Sequence, residues 1–238
     1  MLLAAFSDIH ANKHALEAVL ANIGQHAPDR VVCLGDLVGY GAFPNEVIET
    51  IRHAGIPTIA GNYDDGVGFD QEECGCAYTN PADIERGDRS LRWTKQVVTP
   101  QNKAWLRSLP REIRFEAGGK RVLCVHGSPR RINEYLYEDR PERSLLRMFR
   151  GLGADVILCG HTHLPYQRRL EEMELINVGS AGRPKDGDLR AVYALVEIGP
   201  DVRVTLPRVP YDVEAAARGI EATELPHEFA AYLRTGGR

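Results

Sequence analysis

Five apolar runs in this chain each lead into a side chain that can bind a metal ion. LLAAFSD ends in Asp8 with His10 just beyond, RVVCLGD ends at Asp36, and IPTIAGN ends at Asn62. KRVLCV runs into His126, and DVILCG into His161 and His163. Glycine stands beside most of these groups, at Gly35, Gly61, Gly127 and Gly160, where it lets backbone and substrate come close. Mixed carboxylate, amide and imidazole donors suit Mn, Fe, Co, Ni or Zn better than calcium or a thiolate-bound metal. A single His or Asp after a strand is ordinarily a turn former, a cap or a satisfied structural group. Seven of them at five strand ends call for a common site, because function gathers at the carboxyl ends of strands in an open parallel sheet.

Hydrophobic spacing supplies the elements that must position these groups. LLAAFSD predicts a buried strand, and NKHALEAVLANIGQH places Ala15, Leu16, Val19, Leu20 and Ile23 at helical spacing, with Asn12 as its cap. RVVCLGD predicts a second strand, and PNEVIETIRHAG a helix with Pro44 near its start and Gly55 at its end. With IPTIAGN as a third strand, the β-α-β-α-β order predicts a parallel sheet carrying helices on its faces. Residues 66–110 read as a helical insertion leaning over the sheet edge, with helices in DIERGDRSLRWTKQVV and PQNKAWLRSL. Thr99 caps the second of these and Pro100 takes its first turn. Trp93 and Trp105 fall at helical positions there, as core or groove wall.

Strands return in REIRFEAG, KRVLCVHG and ADVILCGH, with a helix in PERSLLRMFRGLG between the last two. YQRRLEEMELINVGS, AVYALVEIG and DVRVTLPRVPY are strand-rich, and turns at Gly179 and Gly199-Pro200 predict antiparallel hairpins. VEAAARGIEA and HEFAAYLRT predict a helical tail. No repeat, linker or low-complexity stretch divides the chain. The expectation is a single domain over 1–238, two sheets packed face to face with helices outside.

The blocks SDIHAN, GDLVGYG, GNYD, VHGSP and GHTH occur in that order between Ser7 and His163. They resemble the five-motif pattern of the calcineurin-like metallophosphoesterase superfamily, and NVGSAGRP resembles the segment after GHTH in its small bacterial phosphodiesterase branch. The resemblance implies an α/β fold, a four-layer α/β/β/α sandwich of two mixed β-sheets flanked by helices. It also implies two divalent transition-metal ions, manganese favoured. Asp8, His10, Asp36 and His163 would hold the first, and Asp36, Asn62, His126 and His161 the second, with Asp36 bridging ions ~3.5–4 Å apart. A hydroxide shared by the ions would attack phosphorus in line.

The catalytic group implied is Asn62, Tyr63, His126 and His161. Tyr63 departs from the family, which often has His in that place to protonate the leaving oxygen or contact the phosphoryl group. Tyrosine, with an ordinary pKa of ~10 against ~6.5, is the weaker proton donor at neutral pH. That favours diesters or activated esters; the other reading is that Tyr63 only packs beside the site. Arg130, Arg131 and Arg183 are candidate substrate contacts, since guanidinium matches phosphate geometry. His14, His26, His53 and His227 lie away from strand ends and are assigned no role.

The expected activity is that of a metal-dependent phosphodiesterase on a small or nucleotide-like substrate. Alternatives are a phosphomonoesterase or protein phosphatase, a diadenosine polyphosphate hydrolase, and a silent metal-binding scaffold. The formal charge of −4 argues against a binder of long nucleic acid, which wants a basic groove. No stretch approaches the ~20 apolar residues of a membrane span, and the apolar start runs straight into Asp8 and His10 without a basic leader. The expectation is therefore a cytoplasmic protein. Cys33, Cys124 and Cys159 lie in apolar runs as buried thiols, while Cys74 and Cys76 form a C-x-C in a polar loop and are also read as reduced. The insertion and the tail are expected to shape the cleft or an interface between copies.

Overall fold

The computed structural model describes residues 1–237. Strand β1 (Leu2–Phe6) alternates its side chains between two cores, as the period of two requires. Leu3 and Ala5 join one buried cluster, Ala4 and Phe6 another. Helix α1 (Lys13–His26) follows, and β2 (Arg30–Cys33) pairs parallel to β1. Helix α2 (Pro44–His53) begins on Pro44, whose missing N–H is no loss in a first turn. IPTIAGN runs extended but meets the sheet only through one parallel bridge, Cys33 to Thr58, so the expected third strand is reduced to a contact. After that bridge the chain turns at once into a short helix, α3 (Asn62–Gly68).

The insertion supplies α4 (Pro81–Val97) and α5 (Pro100–Arg107), which pack on α2 and α3. Thr99 accepts the Asn102 N–H, the cap expected of it. Trp93 and Trp105 pack, half-buried, against the core on this side. The second sheet starts with the antiparallel pair β3 (Glu112–Ala117) and β4 (Lys120–Val125). Helix α6 (Glu142–Phe149) crosses to β5 (Val156–Cys159), parallel to β4. β6 (Tyr166–Leu170) and β7 (Met173–Asn177) form a hairpin, with Glu171 at positive φ in its turn. That turn is where the hairpin closes; Gly179 instead passes the chain from this sheet toward the other.

β8 (Ala191–Val192), β9 (Ala194–Ile198), β10 (Val202–Thr205) and β11 (Arg208–Val209) complete the strands. β9 and β10 form the hairpin expected at Gly199-Pro200. The sheets run β10-β9-β1-β2 and β3-β4-β5-β7-β6, with β11-β8 as a small third pair. Each large sheet mixes parallel and antiparallel neighbours. Leu3, Val32, Leu34, Val196, Val122, Cys124, Leu158 and Ile176 form one cluster drawn from both, so the sheets pack face to face. The outer face of the first is covered by α1, α2, α7 (Val213–Glu221) and α8 (Glu228–Thr235), and that of the second by α6. This is the four-layer α/β/β/α sandwich. Cys33, Cys124 and Cys159 each fill one of the three clusters, and all five cysteines are free.

Candidate metal centre

The loops after β1 and β2 are joined by backbone bonds, Asp8 N–H to Gly35 O at 2.9 Å, His10 to Asp36 at 3.0 Å and Ala11 to Leu37 at 2.8 Å. Gly160 N–H to His126 O ties the ends of β4 and β5 together, and these close on the first pair of loops through His161 N–H to Asp8 Oδ2, with Gly182 N–H to Asp8 O beside it. Asp8, His10, Asp36, His161 and His163 all take positive φ, between 47° and 64°. Such backbone costs about 1–3 kcal/mol per residue and persists where the surroundings impose it. Two glycines are required by close approach. A Cβ on Gly61 would stand 2.1 Å from Asp36 Oδ1, and one on Gly160 2.6 Å from Asp8 Oδ2.

Two triads of ligand atoms result, Asp8–His10–His163 and Asp36–His126–His161, all buried, with their donor atoms within 4.8 Å of one another. His163 Nε2 lies 3.3 Å from Asp8 Oδ1, and His10 Nε2 lies 3.2 Å from His163 Nε2. Asp36 Oδ2 sits between the triads, 3.7 Å from His10 Nε2 and 3.4 Å from His126 Nε2. Asn62 brings its amide oxygen to 3.2 Å from His126 Nε2. The seven residues singled out by sequence thus meet in one place.

The chemistry of the set fits cations. Nδ1 of His10 faces Val38 O at 3.0 Å, Nδ1 of His126 faces Leu34 O at 2.8 Å, and Nδ1 of His163 faces Arg183 O. A proton held at Nδ1 leaves the Nε2 lone pair for a metal. Asp8 Oδ2 accepts the His161 N–H and Asp36 Oδ1 the Tyr63 N–H, so each carboxylate keeps one oxygen for the centre. Asp8 Oδ1 and His161 Nε2 are buried without any hydrogen-bond partner, a costly state that a bound cation relieves. Burial, reinforced by His126, holds His161 down to about 4. Burial and the positive Lys185 hold His163 down to about 3, so both are neutral ligands near pH 7. Burial resists charge on His126 as well, but the Asp36 carboxylate overrides it and lifts the group to about 10.

The remaining candidates fall around this centre. Tyr63 is fully buried, its ring 5.6 Å edge-on from His10 and 4.6 Å from Tyr40, its hydroxyl unpartnered. Burial and then the neighbouring Tyr40 push its pKa well above the ordinary value. Arg130 is exposed and paired with Glu134, and Arg131 is exposed; both line a cleft of about 250 Å³ that reaches His126. Arg183 is buried, its guanidinium 4.1 Å above the Tyr40 ring. Asn12 does cap α1, accepting the Ala15 N–H, and also donates to Gly182 O.

Other groups were not singled out from sequence. Asp64 accepts N–H bonds from Asp36, Leu37 and Gly61, pinning the turn that aims Asp36; its place in GNYD was the available signal. Tyr135 packs its ring 4.0 Å from that of His161. Cys76 reaches Asn62 Nδ2 at 3.5 Å and Cys74 Sγ at 3.3 Å, so the C-x-C loop borders the site. Lys185 lies beside Arg183 in a cavity at the centre's edge. Nothing in its sequence neighbourhood marked either Tyr135 or Lys185.

Two nitrogen–oxygen triads at the strand ends of a four-layer sandwich define an α/β protein with a candidate centre for metal ions. The family model of the calcineurin-like phosphoesterase superfamily domain matches residues 1–201. An uncharacterized protein of Methanocaldococcus jannaschii is 35% identical over 252 residues, covering 99% of this chain and 98% of that one. The crystal structure of a metallophosphoesterase from Sphaerobacter thermophilus superposes with a TM-score of 0.79 at 30% identity, covering 99% of both chains. That of a hypothetical protein from Pyrococcus horikoshii gives 0.86 at 23% identity over 100% of this chain and 98% of that one, a likeness of fold. The chain belongs to the calcineurin-like metallophosphoesterase superfamily, whose chemistry is metal-dependent hydrolysis of phosphoesters.

Proposed function

We propose that the chain is a dinuclear phosphodiesterase acting on small or nucleotide-like phosphodiesters, its residues 1–238 working as one domain with the 66–110 insertion as a wall of the cleft. In this reading Asp8, His10, Asp36 and His163 hold one divalent ion, and Asp36, Asn62, His126 and His161 the other. The observation that carries it is Asp36 Oδ2, set between His10 and His126 so that one carboxylate serves both triads. Three oxygen donors among seven ligands suit manganese, with Fe, Co, Ni and Zn accepted by the imidazoles. When bound, the ions supply positive charge against the phosphoryl oxygens and lower the pKa of water.

The chain's own residues do the rest. Asn62, Tyr63, His126 and His161 border the reacting group. Arg183 on one side, and Arg130 and Arg131 on the other, attract and orient the phosphate-bearing substrate. Tyr63 stays protonated far above neutral pH, so it offers a hydrogen bond but little acid for a poor leaving group. Diesters with good leaving groups need no such acid, which is why the diester is favoured. Among the described residues no helix is long and apolar enough to cross a membrane. Five free cysteines suit a reducing compartment, and we place the protein in the cytoplasm.

Metal analysis of purified protein together with turnover of bis(p-nitrophenyl) phosphate and p-nitrophenyl phosphate tests the reading. Two metal equivalents per chain and faster turnover of the diester are expected. Metal without turnover of either ester would leave only a binding scaffold and sink the proposal.

A further inference from the structure

Among the described residues, Arg183 and Lys185, at one edge of the metal centre, take part in no ion pair. Arg183 is 6% exposed, and its Nε is buried without a hydrogen-bond acceptor. Its guanidinium lies 4.1 Å from the Tyr40 ring centre and 5.0 Å from that of Tyr232, a stacked position that fixes its direction without neutralising its charge. Lys185, two residues on, is half-buried and makes no hydrogen bond or ion pair. The acids next to it are committed elsewhere, Asp186 to Arg208 and Asp188 to Arg190. Asp83, on the opposite wall, is held by Arg86.

Arg183 and Lys185 share a cavity of about 370 Å³ with Thr162, the residue between His161 and His163, so the cavity opens against the metal ligands. Tyr78 from the insertion, Tyr137, and Phe229 and Tyr232 from α8 form its other walls. The fold builds this arrangement deliberately at its C-terminal end. Gly236 caps α8 in the left-handed conformation, and its carbonyl accepts the Gly187 N–H at 2.9 Å. At Gly237 a Cβ would stand 2.8 Å from Lys185 Cα, so only glycine lets the tail lie against this loop. The loop is clamped, not free, and Arg183 and Lys185 both line one cavity whose walls are largely aromatic, with the Asp83–Arg86 pair across from them. Burial and the neighbouring Arg183 bring Lys185 down to about 8, against the weaker pull of Cys76, Asp8 and Asp36.

We propose that Arg183 and Lys185 form a second anion subsite that holds a non-reacting phosphate, so that the substrates of this phosphoesterase are phosphodiesters that carry a further phosphate group. The inference rests on the phosphoesterase reading for the first phosphate and adds where the second one sits. A dianion matches two convergent cations, and guanidinium plus ammonium supply a fork and a point charge to its three oxygens.

The test compares alkanediol bisphosphates of two to five carbons with propyl phosphate as inhibitors of aryl diester hydrolysis, metal held in excess. The same compounds are titrated calorimetrically into manganese-loaded protein. The best bisphosphate is expected to bind about tenfold or more tighter than the monophosphate, the scale of an added charge-assisted hydrogen bond. Lys185→Met should bring the ratio of the two constants close to one, and Lys185→Arg should restore most of it. Equal binding of the two compounds by the wild type, or a ratio unchanged in Lys185→Met, overturns the proposal. A protein that turns over no aryl ester but keeps the calorimetric preference would refute the hydrolase reading and leave the subsite standing.

Discussion

At the scale of single residues, the centre is governed as much by what aims the ligands as by the ligands. Asp64 spends both carboxylate oxygens on backbone N–H groups of Asp36, Leu37 and Gly61. Asn in its place keeps the volume but turns an amide N–H toward one of those donors. Asp64→Asn is therefore expected to weaken divalent-metal binding by about 10–100-fold, the usual effect of losing an outer hydrogen-bond partner. Competition with a chromogenic chelator reads this directly, and an unchanged affinity would show that the turn holds without Asp64. Tyr63 makes a separate prediction. Its hydroxyl is buried and its pKa is raised, so it contributes little proton transfer. Tyr63→His should raise turnover of an alkyl monoester relative to an aryl diester by about tenfold or more, the lower side of what a positioned general acid gives. Tyr63→Phe should leave that ratio near the wild-type value. If the ratio stays fixed in Tyr63→His, the tyrosine does not set diester preference.

At the scale of elements, the site is a set of loop ends tied together, and Asn12 is one of the ties. It caps α1 through Oδ1 and holds the 179–183 turn through Nδ2 to Gly182 O at 2.9 Å. Asn12→Ala loses the cap, about 1 kcal/mol, and strands a buried carbonyl as well. A fall of roughly 1–3 kcal/mol in unfolding free energy is expected from urea titration; a loss of a few tenths would mean that the cap alone was exchanged for water. The elements also show what the sequence can disclose. Strands β1, β2, β4 and β5 are legible because each is a short apolar run stopped by a metal-capable polar group, beside glycine in all but β1. IPTIAGN has the same composition, yet Pro57 cannot donate to a ladder and only Thr58 bridges, so the run positions Asn62 without being a strand. The hairpin at Glu171 escaped because its tight turn carries no glycine, whereas Gly179 looked like a turn and is a crossing between sheets. Lys185 and Tyr135 were invisible for another reason: their value lies in which distant side chains they face, and no local spacing encodes that.

At the scale of the whole molecule, the two sheets meet at one edge, and that edge carries most of the buried charge. Asp8, Asp36, His10, His126, His161 and His163 are each no more than 3% exposed, in a core otherwise filled by apolar side chains. Buried carboxylates and imidazoles in such number destabilise a fold unless something neutral or oppositely charged completes them. In the protein without metal, part of that role falls to a proton on His126 beside Asp36. Asp8 Oδ1 and His161 Nε2 still lack partners. Cations that bind only the folded edge must therefore stabilise the whole sandwich by mass action, ~2.7 kcal/mol at a hundredfold excess over Kd. For a chain of 238 residues that corresponds to a rise in Tm of about 5–11 °C. Calorimetry with and without Mn²⁺, reversed by chelator, reads the effect. Asp36→Ala removes the carboxylate that lies between the triads and is proposed to serve both, so its Tm should start lower and respond little to metal. If the variant gains as many degrees as the wild type, the cations bind elsewhere and the carboxylate between His10 and His126 does not bridge them.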